Sequence, residues 1–253
     1  MPNRGYIPLL GRQSLLPWAL VLCIAAIQTA VECAGGFRDP LIWKWYVLFG
    51  LSGDGVFHHG RVWQLVTHVW LHGGMTHMLL NGLFLGLVGS RVDRMLGWRA
   101  FVRVGVAGVM GGAAGHLAAT PWSEDMAPLV GASGACMALL LFLTTLSPES
   151  RMWPLPVSAR NLGLGVLVSA AILVVIAPAH GVPGFSAAGR WLEAHGMGSW
   201  FQIGHACHLG GGLVGWLSAR WLLRPRWNLE KLQRERARLE ERARRREDDV
   251  SVR

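Results

Sequence analysis

Charged side chains are scarce in this sequence of 253 residues, because Asp, Glu, Lys and Arg together make up only 15% of it. A soluble domain of this length usually carries about a quarter charged residues. What the chain has instead is 52% hydrophobic residues, 33 glycines and 13 tryptophans. Glycine lets helices in a membrane pack closely, and tryptophan anchors them at the membrane interface. The composition therefore predicts a bundle of several membrane-spanning helices.

Cysteine is also rare, and the four cysteines are Cys23, Cys33, Cys136 and Cys207. None has a partner in a C-x-x-C motif, which argues against a disulfide framework and against a zinc ribbon. Cysteine in an apolar run is usually a small hydrophobic side chain, and we interpret all four in that way. Cys207 stands between His205 and His208, which hints at a metal. No zinc-ligand motif accompanies these three residues, so we expect no metal site.

Six apolar runs predict an all-α polytopic membrane protein. The runs are Leu15–Ala30, Thr76–Val92, Phe101–Ala119, Pro128–Leu146, Leu162–Ala177 and Trp200–Leu223. The first run follows Arg4 and Arg12 and could instead be a secretory signal peptide. A removable leader is not needed to target the chain, because five further runs follow, so we assign the first run as a span. Leu41–Phe49 is too short to cross about 30 Å of hydrocarbon and suits the membrane interface.

The positive charge of the chain is unevenly placed. The net charge is +9, and half of the 24 Lys and Arg residues follow Ala219, so a nucleic-acid-binding function has little support. Positive residues flank the spans mainly on one side, which predicts that both termini are cytoplasmic. We therefore divide the chain into a cytoplasmic segment (1–14), a six-span membrane domain (15–223) and a basic helical tail (224–253). The tail is either held by anionic lipid or is a solvated helix with no further role.

In this topology, spans two, four and six all enter the membrane from the non-cytoplasmic side. Ser133 lies about 8 Å and His208 about 12 Å into their spans, at the rise of an α-helix. His77 and Asn81 lie in the first turns of span two. The four polar residues thus reach similar depths from the same side. Such residues within a membrane usually mark a functional site.

Ser133 and His208 are suited to nucleophilic catalysis. A serine hydroxyl becomes an effective nucleophile when a neutral imidazole accepts its proton. His77 and Asn81 are four residues apart on one helix face, where they could stabilise an oxyanion. The backbone N–H of Ser133, near a helix start, could do the same. No Asp or Glu lies at comparable depth, so the predicted arrangement is a dyad and not a triad.

Three further residues of span six are assigned supporting roles. Gly211 and Gly215 are expected to form the face on which this span packs closely against another helix, with span four as the candidate. His205 lies three residues before His208 and on nearly the same helix face. We interpret it as a structural residue or as one that surrounds the base.

These motifs resemble those of rhomboid-family intramembrane serine proteases. The matching residues are Trp63-Gln64-Leu65-Val66-Thr67-His68, His72, His77, Asn81, Gly131-Ala132-Ser133-Gly134, and His208-Leu209-Gly210-Gly211 with Gly215. The resemblance covers about Trp63 to Leu222 and implies a six-helix rhomboid-like bundle with Ser133 as nucleophile and His208 as base. It also implies that His77 and Asn81 contact the oxyanion. The expected reaction is cleavage of membrane-anchored proteins near the outer face, without a cofactor.

Five residues are expected to line or brace the cavity around this dyad: Gly131, Gly134, His68, His72 and Met137. His68 and His72, near its mouth, would keep the cavity hydrated or hold the first loop. Three residues depart from what the family commonly shows, and one of them is Asp93, which stands where a Glu is common at the end of span two. Met137 stands where an aromatic ring often packs on the catalytic imidazole, and Gln64 stands where Trp is often followed by Arg.

The expected setting is a bacterial inner membrane, with the lipid bilayer and single-span or other membrane proteins as partners and no nucleic acid. The site would open to the non-cytoplasmic side. Two other functions remain open. A catalytically silent rhomboid-like protein would bind membrane clients without cutting them, although that class usually lacks the Ser or the His. A small-solute transporter would also place polar residues at mid-depth, but it more often shows inverted repeats or charged residues at span centres.

Overall fold

The computed structural model describes residues 15–119, 127–151, 156–224, 233–234 and 236–241. Within those residues the chain forms nine named α-helices, which are joined by short 3₁₀ and π turns, and no β-strand. The helices are α1 (Leu15–Cys33), α2 (Pro40–Phe49), α3 (Gln64–Thr67), α4 (Met75–Leu96), α5 (Trp98–Ala119), α6 (Ser133–Leu146), α7 (Ala159–Ile176), α8 (Ser186–Leu192) and α9 (His205–Leu222). The predicted all-α fold is confirmed.

Helices occur at the positions of all six predicted spans, namely α1, α4, α5, α6, α7 and α9. Among the described residues, three of them (α1, α5 and α7) are long and apolar enough to cross a membrane by length and composition. α6 is apolar but has only 14 residues. The predicted polytopic helical bundle is therefore consistent with the structure, whereas the number of six crossings stays a prediction.

Two helices begin later than the apolar pattern predicts. The fourth run was expected to become helical near Pro128, but α6 begins at Ser133. The sixth was expected to begin at Trp200, but α9 begins at His205, after a separate 3₁₀ turn. An apolar loop and an apolar helix have the same composition, so hydropathy does not separate them. Depths counted along a helix from Pro128 and Trp200 therefore do not apply to this chain.

Helix α6 is the centre of the bundle. Eleven of its 14 residues are buried, and α4, α5 and α7 all pack against it, while α1 packs against α4. Small residues such as Ala135 and Ala138 allow neighbouring helices to approach near its start, and Leu139 and Phe142 fill the core further along. Because lipid tails are as apolar as leucine, close van der Waals packing and not exclusion from water holds such helices together.

Helix α9 contacts α6 through glycines. A Cβ placed at Gly211 would lie 2.9 Å from the Cα of Gly134, and one placed at Gly215 would lie 2.6 Å from the Cα of Ala138. Real Cβ atoms essentially never come that close to another heavy atom, so no larger residue fits without a shift of the backbone. The N-terminal ends of α6 and α9 are therefore held side by side.

The predicted tail at 224–253 is described only in part. Residues 233–234 and 236–241 are helical, and within them Arg236 Nε lies 3.2 Å from Glu240 Oε1, one helical turn away. The predicted N-terminal segment at 1–14 lies outside the described residues. The three-part division of the chain stays a prediction.

Candidate active site

Ser133 is the first residue of α6, and it is buried, with 7% of its surface exposed. Backbone hydrogen bonds fix the loop before it. Leu51 and Leu129 bond to each other in both directions, at 2.9 and 2.8 Å, and the N–H of Gly131 donates to the carbonyl of His68 at 2.9 Å. The first N–H groups of a helix have no partner within it, and Ala132 at the N-cap supplies no side-chain bond to them. Ser133 therefore lies beside backbone donors that its own helix does not use.

Gly131 brings the two polar residues of α4 to this loop. A Cβ placed on Gly131 would lie 2.8 Å from His77 Nε2 and 3.2 Å from Asn81 Nδ2. The φ of Gly131 is +112°, a region that residues with a Cβ rarely adopt. Both the space and the backbone conformation therefore require glycine here. The structure places His77 and Asn81 against the residue that stands two before Ser133.

His77 and Asn81 present donors in this region. The backbone N–H of Gly73 donates to His77 Nδ1 at 3.4 Å, so the ring proton of the neutral imidazole lies on Nε2, the atom beside Gly131. Asn81 Nδ2 is buried, and no other group in the described part of the chain bonds to it. The Cys136 thiol donates to the carbonyl of Asn81 at 3.5 Å and helps to fix that turn of α4. Two side-chain N–H donors thus converge on the loop that leads to Ser133.

His208 lies in the first turn of α9, where its N–H donates to the carbonyl of Gly204 at 3.0 Å. One turn later, Gly211 touches Gly134, the residue after Ser133. Ser133 and His208 are therefore carried by two backbones in direct contact.

A cavity of about 510 Å³ lies beside His208, lined by residues of α6, α7 and α9. Met137, four residues after Ser133, is part of its wall, and so is His205. The rings of His205 and His208 stand edge to face with centroids 6.0 Å apart. His205 Nε2 donates to the carbonyl of Trp200 at 2.7 Å, which ties the 3₁₀ turn before α9 to the helix start. Met137 and His205 thus share the apolar surroundings of His208.

Cys207 is the residue of this site that sequence reasoning missed. It is fully buried, and a Cβ placed on Gly134, the residue after Ser133, would lie 3.1 Å from its sulfur. The interpretation of Cys207 as a small apolar side chain leaves out this contact. Its position immediately before His208 is the sequence feature from which its proximity to the site could have been predicted. In the described ranges, no three His, Cys, Asp or Glu side chains come together as the ligands of a metal would.

His68 and His72 lie in the connection before α4 and are both buried. The Tyr46 hydroxyl donates to the His72 carbonyl at 2.5 Å, and the rings of His72 and His77 stand edge to face with centroids 5.1 Å apart. Burial, and after it the proximity of His77, lowers the pKa of His72 to about 4. Burial also lowers the pKa of His68. Both rings are therefore neutral at pH 7 and can each donate and accept a hydrogen bond.

Gln64 holds the first loop, which is the long connection between α1 and α4. Its side chain is fully buried, and Oε1 accepts from the N–H of Ser52 at 3.2 Å while Nε2 donates to the carbonyl of Val47 at 2.9 Å. The backbone carbonyl of Gln64 accepts from His68 Nδ1 at 2.8 Å. Through its side chain and its backbone carbonyl, Gln64 therefore connects three parts of the loop.

A family model described as a rhomboid domain matches residues 59–225. The matched range contains Ser133, His208, His77 and Asn81, and it includes α3 to α9. It covers more than half of the chain. Of the residues described around Gly131, His68, His77, Asn81 and Leu129 lie within the matched range, and Leu51 precedes it.

Individual proteins are similar to shorter parts of the chain. RHOMBOID-like protein 7 of Arabidopsis thaliana is 37% identical over 90 residues, which are 36% of this chain and 28% of that protein. Rhomboid protease GluP of Bacillus subtilis (strain 168) is 33% identical over 100 residues, which are 38% of this chain and 19% of that protein. Rhomboid-related protein 3 of Homo sapiens is 34% identical over 93 residues, which are 36% of this chain and 22% of that protein. Each match thus spans less than a third of the relative's length.

Proposed function

The chain belongs to the rhomboid family, and we propose that it is an intramembrane serine protease that cleaves membrane-anchored proteins. Ser133 is the nucleophile, His208 is the general base, and His77 and Asn81 donate to the oxyanion. The observation that carries the proposal is the meeting of α4, α6 and α9 at one point. There, Gly131 brings two donors toward Ser133, and Gly134 brings the helix of His208. Similarity to a bacterial rhomboid protease supports the same activity.

The acylation step follows from these positions. His208 takes the proton of the Ser133 hydroxyl as Oγ forms a bond to the carbonyl carbon of the scissile peptide. The carbonyl oxygen becomes an oxyanion, which the N–H groups of His77, Asn81 and Ser133 stabilise. The carbon–nitrogen bond then breaks, and His208 gives its proton to the departing amine. The product that stays behind is an ester of Ser133.

Deacylation uses the same groups in reverse. His208 takes a proton from a water molecule, whose oxygen attacks the ester carbon. The second oxyanion meets the same donors, the bond to Ser133 Oγ breaks, and the proton returns to that oxygen. Because an Asp or Glu partner for His208 is not part of the proposed set, the side chains that pack around its ring hold it in position. Met137 and His205 are among them.

Membrane substrates set a further requirement. A transmembrane helix uses its carbonyl groups in hydrogen bonds, so the segment to be cut must unwind before Ser133 can attack it. Helix-breaking or small residues in the substrate reduce the free energy needed for unwinding. We therefore expect the preferred substrates to carry such residues near the cleaved bond.

The protein is an integral membrane protein, and we propose a bacterial inner membrane with both termini in the cytoplasm. A phosphatase that is active only outside the cytoplasm should be inactive when fused after Arg226. The same enzyme inserted between Thr120 and Ala127 should be active. The opposite result would overturn the orientation, and with it the proposal that the site opens to the non-cytoplasmic side.

The experiment that tests the function is an assay of the purified protein in detergent with a single-span reporter substrate. We expect cleavage, together with labelling of Ser133 by a fluorophosphonate that requires an intact His208. A protein that binds the reporter but neither cleaves it nor takes the label is a silent client-binding member of the family. Labelling that persists in His208→Ala would overturn the assignment of the base.

A further inference from the structure

Helix α2 buries one of its ten residues, Tyr46, which is 2% exposed. The Tyr46 hydroxyl donates to the backbone carbonyl of His72 at 2.5 Å, in a buried bond between residues that are 26 apart in the sequence. The chemistry proposed above does not use Tyr46. Its bond nevertheless reaches the segment that leads from His72 into α4, the helix that carries His77 and Asn81.

The carbonyl that Tyr46 binds belongs to the same peptide group as the N–H of Gly73. That N–H donates to His77 Nδ1 at 3.4 Å. A peptide group is planar, so its C=O and its N–H move together when it turns. Tyr46 and His77 are thus bonded to the two ends of one rigid unit, and a bond that fixes one end orients the other.

The residues around this peptide group do little to fix it. Gly73 and Gly74 follow it, and glycine adopts more backbone conformations than any other residue. Gly74 has a φ of +138°, and a Cβ placed on it would meet no atom within 4 Å. The first turn of α4 has no side-chain cap here either. The Tyr46 hydroxyl therefore supplies a restraint that the local sequence does not.

Tyr46 is itself firmly held, because both ends of α2 are fixed. At the start of the helix, the side chain of Asp39 accepts from the N–H of Leu41 at 2.8 Å. At its end, the N–H of Gly50 donates to the carbonyl of Tyr46 at 2.8 Å. The ring of Tyr46 also stacks on that of Trp43, with centroids 6.3 Å apart. The hydroxyl therefore projects from a rigid element, as the positioning of another residue requires.

The bond to Nδ1 decides what His77 can do. In a neutral imidazole one nitrogen carries the proton and the other accepts, so a donor at one nitrogen selects the tautomer. With the Gly73 N–H at Nδ1, the proton lies on Nε2, the atom 2.8 Å from a Cβ placed on Gly131. In the other tautomer Nε2 is an acceptor, which would repel an oxyanion instead of stabilising it.

We propose that Tyr46 is a positioning residue that fixes the peptide group between His72 and Gly73, and thereby keeps His77 in the tautomer and orientation that donate from Nε2 to the oxyanion. The proposal rests on the proposed function, because it concerns one donor of that reaction. Tyr46 acts through His77 and does not itself contact the substrate.

Tyr46→Phe tests this role, because it removes the hydroxyl and keeps the ring that stacks on Trp43. We expect kcat on the single-span reporter to fall about three- to tenfold, the factor that corresponds to one net hydrogen bond. KM should not change, because the oxyanion forms only in the transition state. Thermal unfolding in detergent should show that the variant is folded.

Thr67→Val is the matched control. Thr67 Oγ1 donates to the carbonyl of Phe49 at 2.7 Å, so the variant also removes a bond from a hydroxyl to a backbone carbonyl of the first loop. That carbonyl does not belong to the peptide group beside His77. We expect Thr67→Val to keep kcat close to the wild-type value at a similar loss of thermal stability. An equal loss of kcat in both variants would assign the effect to the loop as a whole and would overturn the proposal.

Combination with the loss of each oxyanion donor separates positioning of His77 from simple anchoring of α2. In His77→Ala, the additional change Tyr46→Phe should lower kcat no further, because the residue through which Tyr46 acts is gone. In Asn81→Ala, the same change should keep its whole effect. Rates of fluorophosphonate labelling provide a second measurement for these slow variants. Equal effects in the wild type, in His77→Ala and in Asn81→Ala would show that Tyr46 only anchors α2.

A spectroscopic measurement tests the same role without turnover. In protein with isotope-labelled histidine rings, the nitrogen chemical shifts of His77, assigned by their absence from His77→Ala, report which nitrogen carries the proton. We expect the Nε2–H form in the wild type and in Thr67→Val, and more of the Nδ1–H form in Tyr46→Phe. Unchanged shifts in Tyr46→Phe would overturn the role of Tyr46 whether or not the protein is active. A wild type that neither cleaves the reporter nor takes the fluorophosphonate label would instead defeat the proposed function.

Discussion

Helices α6 and α7 are both strongly apolar, yet they occupy opposite positions in the bundle. Eleven of the 14 residues of α6 are buried, whereas only Ala159, Gly163 and Ala170 are buried among the 18 residues of α7. Leu164, Val168 and Ile172 of α7 are each more than half exposed within the protein. Lipid can cover such residues as well as another helix can. Hydropathy therefore does not decide which helix becomes the centre of the bundle.

The two helices also differ in how closely other backbones approach their small residues. Gly134 and Ala138 of α6 meet Gly211 and Gly215 of α9 at backbone contact distance. On α7, a Cβ placed at Gly165 would meet no atom within 4 Å. The helix that carries the proposed nucleophile is thus fixed by direct backbone contact, while α7 faces the cavity beside His208. We expect substitutions on the two helices to have very different effects.

The largest expected contrast is between a serine on each helix. Ser133→Ala should reduce cleavage of a single-span reporter to background, because the nucleophile is removed while little volume is lost. Ser169→Ala, on the cavity side of α7, should keep turnover within about threefold of wild type, as loss of a single net hydrogen bond would allow. Initial rates of both purified variants measure this contrast. Retained turnover in Ser133→Ala, once contaminating proteases are excluded, would remove the assignment of the nucleophile.

The second prediction concerns the donors that α4 directs toward the start of α6. His77→Ala and Asn81→Ala should each lower kcat without abolishing it, because loss of one oxyanion donor costs about 10²–10³-fold in rate. The backbone N–H of Ser133 remains in both variants and would make the loss smaller. Steady-state kinetics on the same reporter provide the measurement. Wild-type rates in both single variants and in the double variant would show that neither side chain contacts the oxyanion.

The third prediction compares glycines on α9 and α7. Gly211→Ala forces a methyl group against the backbone of Gly134, and we expect it to destabilise the protein by about 1–3 kcal/mol, as overpacking does. Gly165→Ala adds a methyl group in open space, and alanine favours a helix over glycine by about 1 kcal/mol. Thermal unfolding in detergent should therefore show a lower midpoint for the first variant only. Equal midpoints would mean that α6 and α9 can move apart to admit the methyl group with little loss of stability.

The smallest expected effect is at Met137, a residue of α6 that lines the cavity between α6 and α7. Met137→Ala should lower kcat by about tenfold or less, because poorer positioning of a catalytic group can cost up to about 10²-fold. Met137→Phe or Met137→Tyr has room to extend into the cavity of about 510 Å³, and at least one of them should keep or raise activity. Turnover on the reporter decides between these outcomes. An alanine variant as active as wild type would show that the side chain does not support His208.

The helices could be located from the sequence because apolar composition is a local property. Likewise, the glycine and histidine spacings around Ser133, His77 and Asn81 were enough to single out the residues that the structure brings toward one point. The start of α6 could not be found in this way. Residues before Ser133 are as apolar as a helix would be, but Leu129 bonds to Leu51, far away in the sequence. A long-range pairing of that kind leaves no periodic signal.

Cys207 and Gln64 show the same limit for side chains. The packing of Cys207 against Gly112 and Gly134 depends on how closely α5, α6 and α9 approach one another, which their glycines permit but do not specify. Gln64 was expected only to bear on how the first loop is held. Its bonds to Ser52 and Val47 depend on the folded path of that loop. The sequence identified Gln64 as unusual but not Cys207, and only the three-dimensional contacts show what either residue touches.

The paired residues Leu51 and Leu129 have a consequence for protein engineering. Together with the bond from Gly131 to His68, they attach the long connection between α1 and α4 to the loop before Ser133 at two points. Between those anchors lies Gly60, where a Cβ would meet no atom within 4 Å. Because the entropy of closing a loop rises only slowly with its length, a peptide tag could be inserted at Gly60 while both anchors keep their register. The same insertion between Leu129 and Gly131 would displace the start of α6.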